Sequence, residues 1–195
     1  LDLSNFNTSN VTNMSSMFSN SAATEIKGLE NFDTSNVTYM SYMFADTKVT
    51  SLNLSSFDTS NVISMYMMLA SSSASEIKGL ENFDTSKVTN MGSMFSSTKV
   101  TSIDLSSFDT SSVTDMSEMF SKSAATEIKG LEEFNTSNVT TMSGMFYESA
   151  TTSLDLSSFD TSNVTTMYRM FAKSKATDLD LSSFNTSNVT DMEYM

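Results

Sequence analysis

The sequence predicts an α/β solenoid: eight stacked coils, each with a short strand, a turn with a second short extended segment, and a short helix. Two observations carry this prediction. A Phe followed by Asp or Asn, then Thr-Ser, recurs at Phe6, Phe32, Phe57, Phe83, Phe108, Phe134, Phe159 and Phe184, spaced by 25 or 26 residues. A Met stands eight residues after each of these anchors, another three further on, and a Phe usually follows; these columns absorb all 14 Phe and 16 of the 17 Met, leaving Met67 outside. Composition sharpens the point. Ser and Thr supply 66 of the 195 residues, which alone would read as a disordered stalk. Apolar residues at fixed positions contradict that.

The elements follow in order within one repeat. Leu-x-Leu, as in Leu1-Asp2-Leu3, alternates with period two and predicts a short strand with both Leu inward. Asp-Thr-Ser-Asn then supplies turn chemistry, because short polar side chains bond nearby backbone N–H groups. The Val-Thr pair favours an extended start to the next segment. Val37, Met40, Met43 and Phe44 then follow at helical spacing and predict one or two helical turns. Anchors Phe32, Phe83 and Phe134 are preceded instead by Glu-Ile-Lys-Gly-Leu, one residue longer. Gly28, Gly79 and Gly130 at that insertion predict a β-bulge. The repeat is thus a 51-residue pair for most of the chain, and the alternation breaks at Leu179-Asp180-Leu181. The chain is expected to be one array over 1–195, with coils at about 1–24, 25–49, 50–75, 76–100, 101–126, 127–152, 153–177 and 178–195. Both ends fall inside a repeat and are expected to be truncations. No single coil can bury its apolar face, so stacking must build the core, with Met40, Met43 and Phe44 almost fully buried.

Composition excludes much. There is no Cys, His, Trp or Pro, and only 5 Gly. Thiolate chemistry, the commonest general base and a Gly-rich phosphate loop are therefore missing, and no enzyme or cofactor is expected. A net charge of -13 argues against nucleic acid and anionic membranes as partners. No apolar run approaches the ~20 residues that span a bilayer, so no membrane insertion is expected in this segment. Any export or anchoring signal is expected beyond the segment given.

Several columns invite a functional reading. The residue after each anchor is Asp or Asn (Asp33, Asp58 and Asn7, for example). It is expected to cap the turn rather than to bind Ca²⁺, since the two residues exchange freely. Thr8, Thr34 and their equivalents are expected to bond backbone within the turn. Up the strand column the outward residues read Asp2, Lys27, Asn53, Lys78, Asp104, Lys129, Asp155, Asp180. Alternating charge predicts pairing and register control. Asp155 and Asp180 are the like-charged neighbours, and so form a candidate binding spot. Variable residues cluster after the Met-Met-Phe segment, in Ser19 to Thr24, Asp46 to Val49, Ser71 to Ser75, Tyr147 to Thr152 and Ala172 to Ala176. The candidate binding residues are Asp155, Asp180, Tyr147 and Arg169.

The motif Leu-Asp-Leu-Ser-Ser-Phe-Asp-Thr-Ser-Asn-Val-Thr-x-Met-x-x-Met-Phe resembles the BspA-like leucine-rich repeats of bacterial surface proteins, of the lactobacillus and mycoplasma type. The resemblance covers essentially the whole chain. It implies a leucine-rich-repeat solenoid, export, display on a cell wall or membrane, and often adhesion; it supplies no catalytic motif. The function expected is an extracellular binding scaffold, an adhesin segment engaging a host-surface protein or glycan. The alternative is a passive stalk with no specific ligand. Uncapped end coils are expected to allow end-to-end self-association.

Overall fold

The computed structural model describes residues 1–195. Four strands are present: β1 (Ser51–Asn53), β2 (Glu76–Lys78), β3 (Ser102–Asp104) and β4 (Glu127–Lys129). They pair in parallel as β1–β2 and β3–β4, with Leu52 opposite Ile77 and Ile103 opposite Ile128. Single bridges Asp2↔Lys27 and Ser153↔Asp178 repeat this pairing at either end. The strand column is therefore joined in twos, and no pairing links β2 to β3. At the unpaired junctions the anchor rings take over: Phe32 stacks on Phe57, Phe83 on Phe108 and Phe134 on Phe159, with centroids 6.5, 6.3 and 6.3 Å apart. Such offset ring contacts add to the area they bury. The 51-residue superperiod thus alternates two kinds of junction, one closed by main-chain bonds and one by rings.

The longer coils do not contain the expected β-bulge. Gly28, Gly79 and Gly130 adopt left-handed backbone (φ 91, 98 and 87°), and each starts a 3-10 turn at Leu29–Asn31, Leu80–Asn82 or Leu131–Glu133. A side chain cannot enter there, because a Cβ on Gly79 would lie 2.4 Å from the Ser55 nitrogen in the coil below. The inserted residue is consumed by a tight turn pressed onto the neighbouring coil.

The expected helix does not form either. Residues after each Val make successive turns instead: Met68, Ala70 and Ser72 N–H donate to the carbonyls of Met65, Met67 and Leu69. The alternate N–H groups leave the coil altogether. Met65, Met67, Leu69 and Ser71 donate to Asn90, Gly92, Met94 and Ser96 of the next coil, at 2.7 to 3.1 Å. An α-helix needs each N–H to bond four residues back. Here the stack supplies acceptors at every second residue, and the helical spacing of Val, Met and Phe is met by a chain of turns. That geometry places fourteen non-glycine residues at positive φ, among them Tyr42, Met67 and Arg169. Such residues are uncommon and strained, and the inter-coil bonds offset the strain. The second extended segment shrinks to one residue per coil. Asn13, Tyr39, Ser64, Asn90, Asp115, Thr141, Thr166 and Asp191 form a ladder of single parallel bridges.

The core agrees with expectation. Val37, Met40, Met43 and Phe44 are all 0% exposed, and one cluster of 46 buried residues runs from Leu3 to Met170. Polar columns sew the coils together. The Asp or Asn after the anchor accepts the N–H of the Ser two residues on, as Asp33 does from Ser35, which is the expected cap. The following Thr bonds backbone, but across coils rather than within its own turn. Thr34 Oγ1 donates to the Asp58 carbonyl at 2.9 Å and accepts the Asp58 N–H at 2.8 Å. Asn36, Asn61, Asn138, Asn163 and Asn188 donate from Nδ2 to a Ser carbonyl of the preceding coil. No buried side-chain polar atom lacks a partner.

The strand charges differ from the expected ladder. Asp2 faces Lys27 and Asp104 faces Lys129 in register, yet each Lys pairs with the Glu two residues before it. The Lys27–Glu25, Lys78–Glu76 and Lys129–Glu127 separations are 3.7, 3.3 and 3.8 Å. Asp2 and Asp104 instead accept from Ser4 and Ser106. Exposed pairs of this kind contribute little to stability.

Candidate binding face

Laying the coils on their anchors shows where the sequence varies. The inward positions hold Val, Met, Met and Phe or Leu, while the tenth residue after the anchor reads Ser16, Tyr42, Met67, Ser93, Glu118, Gly144, Arg169, Tyr194. All eight of these are left-handed, with φ from 54 to 61°. The backbone is thus held in one strained shape while the side chain changes chemistry from coil to coil. All six Tyr, the sole Arg and the off-pattern Met67 lie between the seventh and thirteenth residues after an anchor. The turn segment therefore gathers the Tyr residues and the Arg on one face.

Two clusters stand on that face. In the second and third coils Tyr42 and Tyr66 meet edge to face at 5.3 Å. Burial, with Tyr42 beside it, pushes the Tyr66 hydroxyl above its ordinary pKa. In the sixth to eighth coils Arg169 lies among three rings, its guanidinium carbon 4.8, 5.0 and 5.9 Å from the ring centres of Tyr168, Tyr194 and Tyr147. Lys122 and Lys173 approach the Tyr147 ring at 5.6 and 5.8 Å. Such cation–ring contacts are individually worth about 0.5–1 kcal/mol at exposed sites. Lys173 is bonded to Glu148 at 2.9 Å. That bond holds Glu148 below and Lys173 above their usual ranges. Arg169, half-buried, makes no ion pair and no side-chain hydrogen bond among the contacts of the chain.

Of the four residues expected from sequence, Tyr147 and Arg169 are brought together here. Asp155 and Asp180 lie elsewhere, in the strand column, where with Asp178 they line a cleft of about 240 Å³. Asp155 already accepts the hydroxyl and N–H of Ser157, and Asp180 the N–H of Ser182; the two Ser hold both carboxylates below their usual range. No three acidic side chains converge as a metal-binding group. The four residues thus make two separate places. Tyr168, Tyr194, Lys122 and Gly144 belong with Tyr147 and Arg169 but were not singled out from sequence. Variation at the tenth position was the available signal, and it emerges only when that position is read as a single column across the coils.

No helix is long and apolar enough to cross a membrane. No curated protein and no solved structure matches the chain. A family model described as "Mycoplasma protein of unknown function, DUF285" matches three times in succession, over residues 1–77, 71–129 and 122–195. Those matches together span the repeat array from end to end, and the chain accordingly belongs to the DUF285 family of Mycoplasma proteins of unknown function.

Proposed function

We propose that the chain is a non-catalytic binding scaffold, an adhesin segment displayed outside the cell and attached to its surface, which engages host or neighbouring-cell proteins or glycans through its turn face. One observation carries the reading: the position whose backbone the fold holds in a single left-handed shape carries six residue types in eight coils, including Tyr, Arg, Met and Glu. A fixed backbone whose partly exposed side chains vary suits the extended binding surface of a solenoid. Aromatic residues and Arg are the types that dominate binding energy at interfaces. The resemblance to BspA-like leucine-rich repeats supports export and surface display. A passive stalk is the second reading, favoured by the near-identity of the inward positions from coil to coil.

Attachment of chain-coated beads to cultured host cells tests the two. Replacing Tyr42, Met67, Arg169 and Tyr194 together by Ser alters the turn face and leaves the core columns alone. At least a tenfold loss of attachment, with an unchanged thermal midpoint, is expected. Attachment at the wild-type level would favour the stalk.

A further inference from the structure

Arg169 is the least explained side chain in the molecule. It is half-buried, it is the only Arg, and its guanidinium is steered by three Tyr rings rather than by any carboxylate. A guanidinium carries five donors in a planar fork that matches a carboxylate in bidentate fashion. Here three rings surround the guanidinium and leave the fork without a carboxylate.

Next to it the fold leaves room. Gly144 occupies the tenth position in the coil before Arg169, where other coils carry a side chain. A Cβ at that position would already meet the Glu118 Cγ at 3.1 Å. The missing side chain opens a depression of about 90 Å³ bounded by Glu118, Tyr147, Tyr168 and Arg169. Across Tyr147 and Arg169 it continues onto a shelf of about 450 Å³ that ends at Lys173 and Tyr194. A ligand seated here meets an unpaired cation, aromatic rings beside it, and one carboxylate able to accept hydroxyl protons. The N–H groups of Gly144, Glu148 and Arg169 already donate up the stack to Tyr168, Ala172 and Glu193 carbonyls, at 2.7, 3.0 and 2.9 Å. An extended peptide would find no strand edge to pair with, and strand addition is its usual route to affinity.

We infer that the depression and shelf around Arg169 bind an acidic sugar, a pyranose bearing a carboxylate, with Arg169 taking the carboxylate, Tyr147 stacking on the ring and Glu118 accepting a ring hydroxyl. Stacking and bidentate pairing are each short-range, so a single residue of sugar suffices as a probe. The net charge of -13 disfavours an anionic ligand over most of the surface, so binding depends on the local cation at Arg169. The inference rests on the binding-scaffold reading and specifies its ligand class.

Saturation-transfer NMR on the whole chain, with methyl glucuronide, methyl glucoside and a short Asp/Glu peptide as separate probes, tests it. Glucuronide is expected to bind at least tenfold more tightly than glucoside. R169Q should weaken glucuronide binding by tenfold or more and R169K by less, since Lys keeps the charge and loses the fork. Gly144→Tyr should block the depression, at a position whose φ of 61° other side chains already accept. Glu30→Gln, exposed in the 3-10 turn Leu29–Asn31 and off the turn face, should change nothing. Thermal midpoints confirm that each variant folds. Equal binding of glucoside, wild-type binding by R169Q, or binding of the peptide in place of the sugar would overturn the inference. If cell attachment depends on the turn face while glucuronide does not bind, the sugar assignment fails and the scaffold stands. If neither is seen, both fail.

Discussion

At the scale of single residues the molecule is held by polar columns inside a repeated apolar frame. Thr34 is the clearest case, since its buried hydroxyl satisfies both the N–H and the carbonyl of Asp58 in the next coil. Thr34→Val keeps the shape and strands both backbone groups in a dry site. Leaving buried groups unsatisfied costs about 1–3 kcal/mol, so the denaturation midpoint is expected to fall accordingly in a urea titration. The glycines separate in the same way. Gly79→Ala forces a Cβ to 2.4 Å from the Ser55 nitrogen at φ 98° and should cost about 1–3 kcal/mol from backbone strain alone, the clash adding to it. Gly92→Ala has no such φ, and its nearest neighbour is a Tyr66 ring atom at 3.1 Å. That ring is partly exposed and can move, so the change is expected to stay within about 0.5 kcal/mol. Parallel thermal melts of the two variants check the contrast.

At the scale of elements the decisive feature is the turn segment that replaces a helix. Its N–H groups alternate between the next coil and other acceptors. Met65, Met67, Leu69 and Ser71 donate upward, while the intervening Tyr66 N–H has only the Ser64 hydroxyl at 3.4 Å. Amide exchange followed by NMR should therefore be slow at residues 65, 67, 69 and 71 and fast at residue 66. A helix would protect them as an unbroken run. The same ladder explains why Arg169 can be varied freely. The Arg169 main chain is held by the stack, its N–H donating to the Glu193 carbonyl at 2.9 Å, so its side chain is free to vary.

At the scale of the whole molecule the acidic balance meets a fold that protects several of its own carboxylates. Asp33, Asp84, Asp104, Asp155, Asp160 and Asp180 are all held below the ordinary carboxylate value, first by the hydroxyl of the Ser two residues on and then by its N–H. A folded pKa below the unfolded one stabilises the fold above the unfolded value, and that stabilisation is lost as pH falls through the folded value. The contribution of these groups is thus complete above about 3.8 and disappears only in stronger acid. Circular dichroism is expected to hold steady from pH 7 to pH 4, with loss of signal below. Replacing Ser35, Ser86, Ser106, Ser157 and Ser162 by Ala should move the acid transition to higher pH. An unmoved transition would remove these bonds from the account.

The sequence by itself determined the stack and its core. The Phe, Val and Met columns recur so regularly that only coil-on-coil burial satisfies them, and Met40, Met43 and Phe44 are buried as that regularity requires. The Asp-Thr-Ser cap was equally legible, because its partners lie two residues away. What the sequence left open depended on partners a full coil distant. Period alone cannot separate a helix from a chain of turns when both place Met40, Met43 and Phe44 inward; the direction of the N–H groups decides, and that is set by carbonyls some 25 residues along. The Thr column, which bonds across coils, and the Gly79 turn, pressed against Ser55, were misread for the same reason. The meeting of Tyr147, Tyr168, Arg169 and Tyr194 draws on three coils at once. It required the tertiary register, because only stacking turns residues scattered along the chain into neighbours on one face.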